Sequence, residues 1–138
     1  MNPTLNLWAV VVSAIASMVI GSIWYGPLFG KKYMAATGMD MLSVEQQEKM
    51  KKGVAKMYIL QFIGSLVMFY VLAGVIVWFG ELTAGGGAAI AFWMWLGFVV
   101  PLKLSDMLWG GKMSLFWLGI GNMLVTLLAA GAIIGAMH

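Results

Sequence analysis

Four continuous apolar runs dominate the chain, at residues 5–29, 57–79, 88–109 and 113–137, each 22 to 25 residues long. An α-helix rises about 1.5 Å per residue, so about 20 apolar residues cross the hydrocarbon core of a bilayer. The runs are continuous rather than alternating, which predicts helices and not barrel strands. The third run is the least uniform, because it holds Pro101, Lys103 and Asp106. The pattern predicts an all-α integral membrane protein, a single four-transmembrane-helix bundle over residues 1–138.

The polar positions divide the connections into two kinds. Residues 30–56 form one long loop. It opens with Lys31 and Lys32 and continues with apolar Tyr33, Met34, Met39, Met41 and Leu42, a composition suited to the membrane interface. Ser43 followed three residues later by Gln46 reads as a capping box. It predicts a short polar helix from about Val44 that runs toward the second span, with Gly53 as its weak point. Residues 80–87 are short and glycine-rich, and Gly85-Gly86-Gly87 reads as a plain turn without the lysine of a phosphate-binding loop. Gly110-Gly111-Lys112 is a tight turn. Such short connections make the second, third and fourth spans antiparallel neighbours.

Composition strengthens the membrane reading. Hydrophobic residues make up 62% of the chain and charged ones 9%, against about a quarter charged in soluble domains. The net charge of +3 comes from eight lysines against five acids. Those lysines lie at the ends of apolar runs, so the excess implies no nucleic-acid partner. Lys31, Lys32, Lys49, Lys51, Lys52 and Lys56 sit in or beside the first loop, and Lys103 and Lys112 flank the third. Lysine beside span ends is retained in the cytoplasm. The expected location is the cell (inner) membrane, multi-pass, with the 30–56 loop cytoplasmic and both termini outside. The opening residues lack the basic start of a secretory signal. There is no cysteine, which removes disulfide and thiolate chemistry.

Candidate chemistry is sparse. Lys103 and Asp106 are opposite charges three residues apart in one span, on one helix face. They fit either an interfacial ion pair that fixes the helix in depth or an ion or proton site facing the bundle interior. Tyr25, at the same depth in the first span, is a candidate hydrogen-bond partner for Asp106. Pro101 cannot donate to the carbonyl of Gly97, and Asn122 lies opposite about Val100 in the hairpin of the last two spans. Asn122 is therefore expected to face the third span and bond the backbone around Gly97 or Phe98. Tyr25, Lys103, Asp106 and Asn122 form the candidate polar site, and Pro27 and Pro101 the candidate helix breaks. Small residues recur at Ala9, Ser13, Ser17 and Gly21 and again at Gly131 and Gly135. Such stripes allow close helix approach, within the chain or between copies, and a homo-oligomer is expected. Gly119 and Gly121 make room at the level of Pro101 to Lys103. Met34, Met39 and Met41 lack the cysteine or histidine neighbours of a Cu(I) site. No metal or cofactor is implied. No nucleophile–base–acid grouping occurs, so a non-enzymatic role is expected.

The segment Trp24-Tyr25-Gly26-Pro27-Leu28-Phe29-Gly30-Lys31 resembles the bacterial domain-of-unknown-function family 1761. So do the polar stretch Lys51-Lys52-Gly53 with Ala55-Lys56 before the second span, and Trp95-Leu96-Gly97-Phe98-Val99-Val100-Pro101 in the third. The resemblance covers nearly the whole chain and implies a small multi-span membrane protein with no established activity. Two function classes remain open. One is a self-associating bundle with a structural or small-molecule- or lipid-binding role. The other is a small transporter or channel subunit with a polar site at the cytoplasmic end of the third span.

Overall fold

The computed structural model describes residues 5–38 and 41–138. Four helical segments are long and apolar enough to cross a membrane: Leu7–Leu28, Val54–Phe79, Ala84–Leu108 and Met113–Ala136. The first is α1 (Leu7–Ile23) followed by a π-helical turn at Trp24–Leu28. The second is α4 (Val54–Phe79). The third is α5 (Ala84–Met94), a π-helical turn at Trp95–Val99 and α6 (Val100–Leu108). The fourth is α7 (Met113–Ala136). Two short helices, α2 (Gly30–Thr37) and α3 (Val44–Lys52), occupy the long connection.

Local chemistry sets most boundaries. The capping box forms: the Gln46 N–H donates to Ser43 Oγ at 3.2 Å, and the Ser43 N–H donates to Gln46 Oε1 at 3.2 Å. Glu45 lies in the first turn of α3 and Lys49, Lys51 and Lys52 in its last turn, the distribution that suits the helix dipole. Gly53 interrupts the helix and α4 starts beyond it. Gly80, at φ 73°, closes α4. Its N–H donates to Val77 O at 3.0 Å and that of Glu81 to Ile76 O at 3.2 Å, the paired bonds of a Schellman cap.

The start of the third span departs most from the sequence expectation. The third span starts at Ala84, not 88, and Gly85-Gly86-Gly87 is the first turn of a helix rather than a plain turn. Thr83 caps it, its Oγ1 accepting from the Gly86 N–H at 3.0 Å. The glycines are tolerated there because packing requires them. A β-carbon on Gly87 would collide with the carbonyl oxygen of Gly131, one on Gly131 with that of Gly87, and one on Gly135 with that of Thr83. The Gly131–Gly135 stripe thus serves contact within the chain, backbone against backbone between α5 and α7.

Each proline falls at an interruption of its α-helix, and the first span ends at Leu28, one residue beyond Pro27. Pro27 lies inside the first π-helical turn, where the Phe29 N–H reaches back to Trp24 O at 2.9 Å. Pro101 follows the second, where the Val100 N–H bonds Trp95 O, and helical structure continues to Leu108. The wider turn moves the backbone bonds out of the register that proline would disrupt.

The core lies at one end of the bundle. Ala9, Ala14, Phe69, Ala73, Ile76, Ala91, Ala130 and Ile134 are essentially inaccessible. They come from the first half of α1, from α5, and from the second halves of α4 and α7. The start of the first span meets the end of the fourth here: the Asn6 N–H donates to His138 Nε2 at 2.9 Å, Asn6 Nδ2 to Met137 O at 3.1 Å, and His138 Nδ1 lies 2.7 Å from Ile134 O. At the other end, which carries the lysines, neither α2, α6 nor either π-helical turn contributes a buried residue. The helices pack tightly at the terminal end and splay at the lysine end.

Candidate functional site

The splay opens a cleft of about 690 Å³ between α1, α4, α6 and α7. Its walls follow from helical spacing. On α4, Met57, Tyr58, Gln61, Ser65 and Met68 recur three or four apart and share one face. On α7, Gly119, Asn122, Met123 and Thr126 do the same, and on the first span so do Ser17, Gly21 and Tyr25. The small-residue stripe of α1 therefore has two uses. Ser13 is buried in the core beside Ala9, while Ser17 and Gly21 line the cleft.

Polar groups on these walls differ in how they are satisfied. Ser17 donates to Ala14 O at 2.7 Å and Ser65 to Gln61 O at 2.9 Å, each within its own helix. Asn122 Oδ1 and Thr126 Oγ1, like Ser13 Oγ in the core, are buried and have no partner among the described residues. Thr126 is 5% exposed. Leaving a buried polar atom unpaired costs about 1–3 kcal/mol, and these two lie one turn apart on residues that line the cleft. Lys103 enters from α6. Its stem passes over Gly119, where a β-carbon would lie 4.0 Å from Lys103 Cε.

Two tryptophans fix the cleft's frame. Trp24 Nε1 donates to Leu118 O at 3.0 Å, and Trp95 Nε1 donates to Ile120 O at 2.8 Å. Each begins a π-helical turn, so the two bulged helices are tied to α7 at nearly one level. Gly121 makes room for Trp24, whose Cζ2 would sit 2.7 Å from a β-carbon there.

The model of the family described as "Protein of unknown function (DUF1761)" matches residues 8–135. The chain belongs to that family. No curated protein and no solved structure matches it.

In this DUF1761 chain the four residues of the predicted polar site are only partly brought together. Tyr25, Lys103 and Asn122 line the one cleft, and Asp106 does not. Lys103 and Asp106 make no ion pair with each other. Tyr25 turns to Tyr33, ring centroids 4.7 Å apart, and not to Asp106. The expected bond from Asn122 to the backbone near Gly97 is not formed; open space lies over Gly97. Asn122 sits at the anticipated depth, but on the face shared with α1 and α4. Of the three methionines considered for copper, Met39 lies outside the described residues. Among the described residues no group of histidine, cysteine and acidic side chains is placed to hold a metal. The sequence reading missed Thr126, Gln61 and Ser65. Their signal was a polar residue inside an otherwise apolar span.

Proposed function

We propose that the chain is a membrane-embedded, non-enzymatic helical bundle that binds a small molecule or lipid in the cleft between α1, α4, α6 and α7. The observation that carries this is the pair of buried, unpartnered polar atoms, Asn122 Oδ1 and Thr126 Oγ1, on the wall of that cleft. Placement in lipid is supported by large apolar residues on the outside of all four long helices and by exposed tryptophans at both ends. Trp8 and Trp78 mark the terminal end, and Trp109 and Trp117 the lysine end, as in interfacial aromatic belts. The lysine distribution supports a cleft mouth on the cytoplasmic side with both termini outside. The alternative, a transporter or channel subunit with a polar site at the cytoplasmic end of the third span, is less favoured because Asp106 does not line the cleft with Lys103. Self-association has no support from Gly131 and Gly135, which are engaged within the chain.

The test compares wild type with Ser17→Leu and Gly119→Leu, which fill the cleft from opposite walls. Each protein is extracted with its surrounding lipid and its small-molecule content measured by mass spectrometry. About one tightly held molecule per chain in wild type, absent from both folded variants, is the expected result. Identical content in all three would contradict a binding role.

A further inference from the structure

Lys103 is the one charged side chain on the cleft wall among the described residues, and no carboxylate lines the cleft with it. It forms no ion pair among the described residues. Lys103 is exposed at the mouth of the cleft, and a cation beside an apolar membrane bundle favours a partner of opposite charge. The groups around it are suited to the same partner. Tyr25, Tyr33 and Tyr58 bring hydroxyls to the lysine end of the cleft, and each can donate to an anion. Beyond the lysine, Asn122 and Thr126 lie one and two turns further along α7 from Gly119. Seven residues of helix amount to roughly 10 Å. Methionines 18, 57, 68 and 123 line the remaining wall, a flexible apolar surface that adapts to a guest of variable shape.

We propose that the cleft takes a singly charged organic anion, with its acidic group on Lys103 and its body lying along α7 past Asn122 toward Thr126. This inference rests on the binding reading above and specifies the class of ligand. One lysine matches one negative charge. A cation or a metal ion would meet like charge, and a neutral molecule would leave the lysine unpaired.

The probe is octanoate, titrated into the protein held in discs of phosphatidylcholine, with 1-octanol and octylammonium as neutral and cationic counterparts. Methyl-labelled methionine gives the NMR readout, because Met18, Met57, Met68 and Met123 line the cleft while other methionines report on the fold. Octanoate should shift the cleft methyls saturably in wild type and in Lys103→Arg. In Lys103→Gln its affinity should fall about tenfold or more, the loss expected for a charge-assisted bond, while the distant methionines stay in place. Equal binding of octanol or octylammonium, or an unchanged affinity in Lys103→Gln, would overturn the anion assignment and leave the cleft as a binding site. No shift of the cleft methyls with any probe would overturn both readings. Discs of phosphatidylglycerol separate the two sources of such an anion. Competition by that lipid assigns the site to an acidic head group, and unchanged octanoate binding assigns it to a free organic acid.

Discussion

Gly87→Ala isolates the contact on which the packed end of the bundle depends. The new methyl would collide with Gly131 O and lie 2.9 Å from Gly131 C and 3.2 Å from Gly135 Cα. These are backbone atoms of a helix, which cannot rotate aside as a side chain would. Relief requires α5 and α7 to separate by about 1 Å, and a gap of that size forfeits up to about half of the dispersion attraction across a contact. Overpacking of this kind costs about 1–3 kcal/mol. Alanine is otherwise better than glycine in a helix by about 1 kcal/mol, so the net loss should be about 1–2 kcal/mol. Gly64→Ala supplies the control, because a β-carbon there meets nothing within 4 Å. It should leave stability unchanged or raise it by up to about 1 kcal/mol. Reversible unfolding of both variants by titrating a denaturing detergent into mixed micelles measures the difference. A Gly87→Ala protein as stable as Gly64→Ala would refute the close backbone approach.

Other consequences follow from single contacts. Trp95→Phe removes the indole donor to Ile120 O and should destabilise the bundle by about 0.6 kcal/mol, up to about 1.7, the measured range for bonds between membrane helices; a Trp95→Phe protein that unfolds like wild type would remove that tie. Thr126→Val deletes a buried hydroxyl that has no partner, so unfolding should show stability unchanged or increased by about 1 kcal/mol; a loss above 2 kcal/mol would mean that the hydroxyl is bonded in the free protein. For topology, single cysteines at Glu48 and His138 should respond oppositely to an impermeant thiol reagent in intact cells, His138→Cys labelled and Glu48→Cys protected, and the reverse pattern would invert the orientation.

The long elements were legible in the sequence because lipid-compatible runs are continuous, and a 20-residue apolar stretch has few alternatives. The capping box at Ser43 and Gln46 was equally plain, being a local pairing of two side chains. What escaped was decided by tertiary contact. Gly85 to Gly87 have poor helix propensity and read as a turn, but the carbonyls of α7 leave no room for any larger residue at position 87. The π-helical turns have no periodic signature, and nothing in the local sequence marks Trp24 and Trp95 as donors to carbonyls of α7. For Asn122, hairpin arithmetic gave the depth and missed the face. Its direction depends on how the hairpin packs against α1 and α4, which spacing within the hairpin cannot encode. Lys103 and Asp106 were joined by helical periodicity alone, and the structure sends only Lys103 to the cleft.

The central claim is that a cleft bearing unpaired polar atoms is accessible from the lysine end of the bundle. The chain has no cysteine of its own, so Asn122→Cys and Val125→Cys each carry a single thiol. Position 122 lines the cleft, and position 125, 42% exposed, lies on the outer surface of the same helix. Protein in lipid vesicles is treated with a small water-soluble methanethiosulfonate reagent, and the modification rates are compared. The account predicts that the thiol at 122 reacts and that at 125 is shielded by lipid. A reactive 125 beside an inert 122 would contradict it.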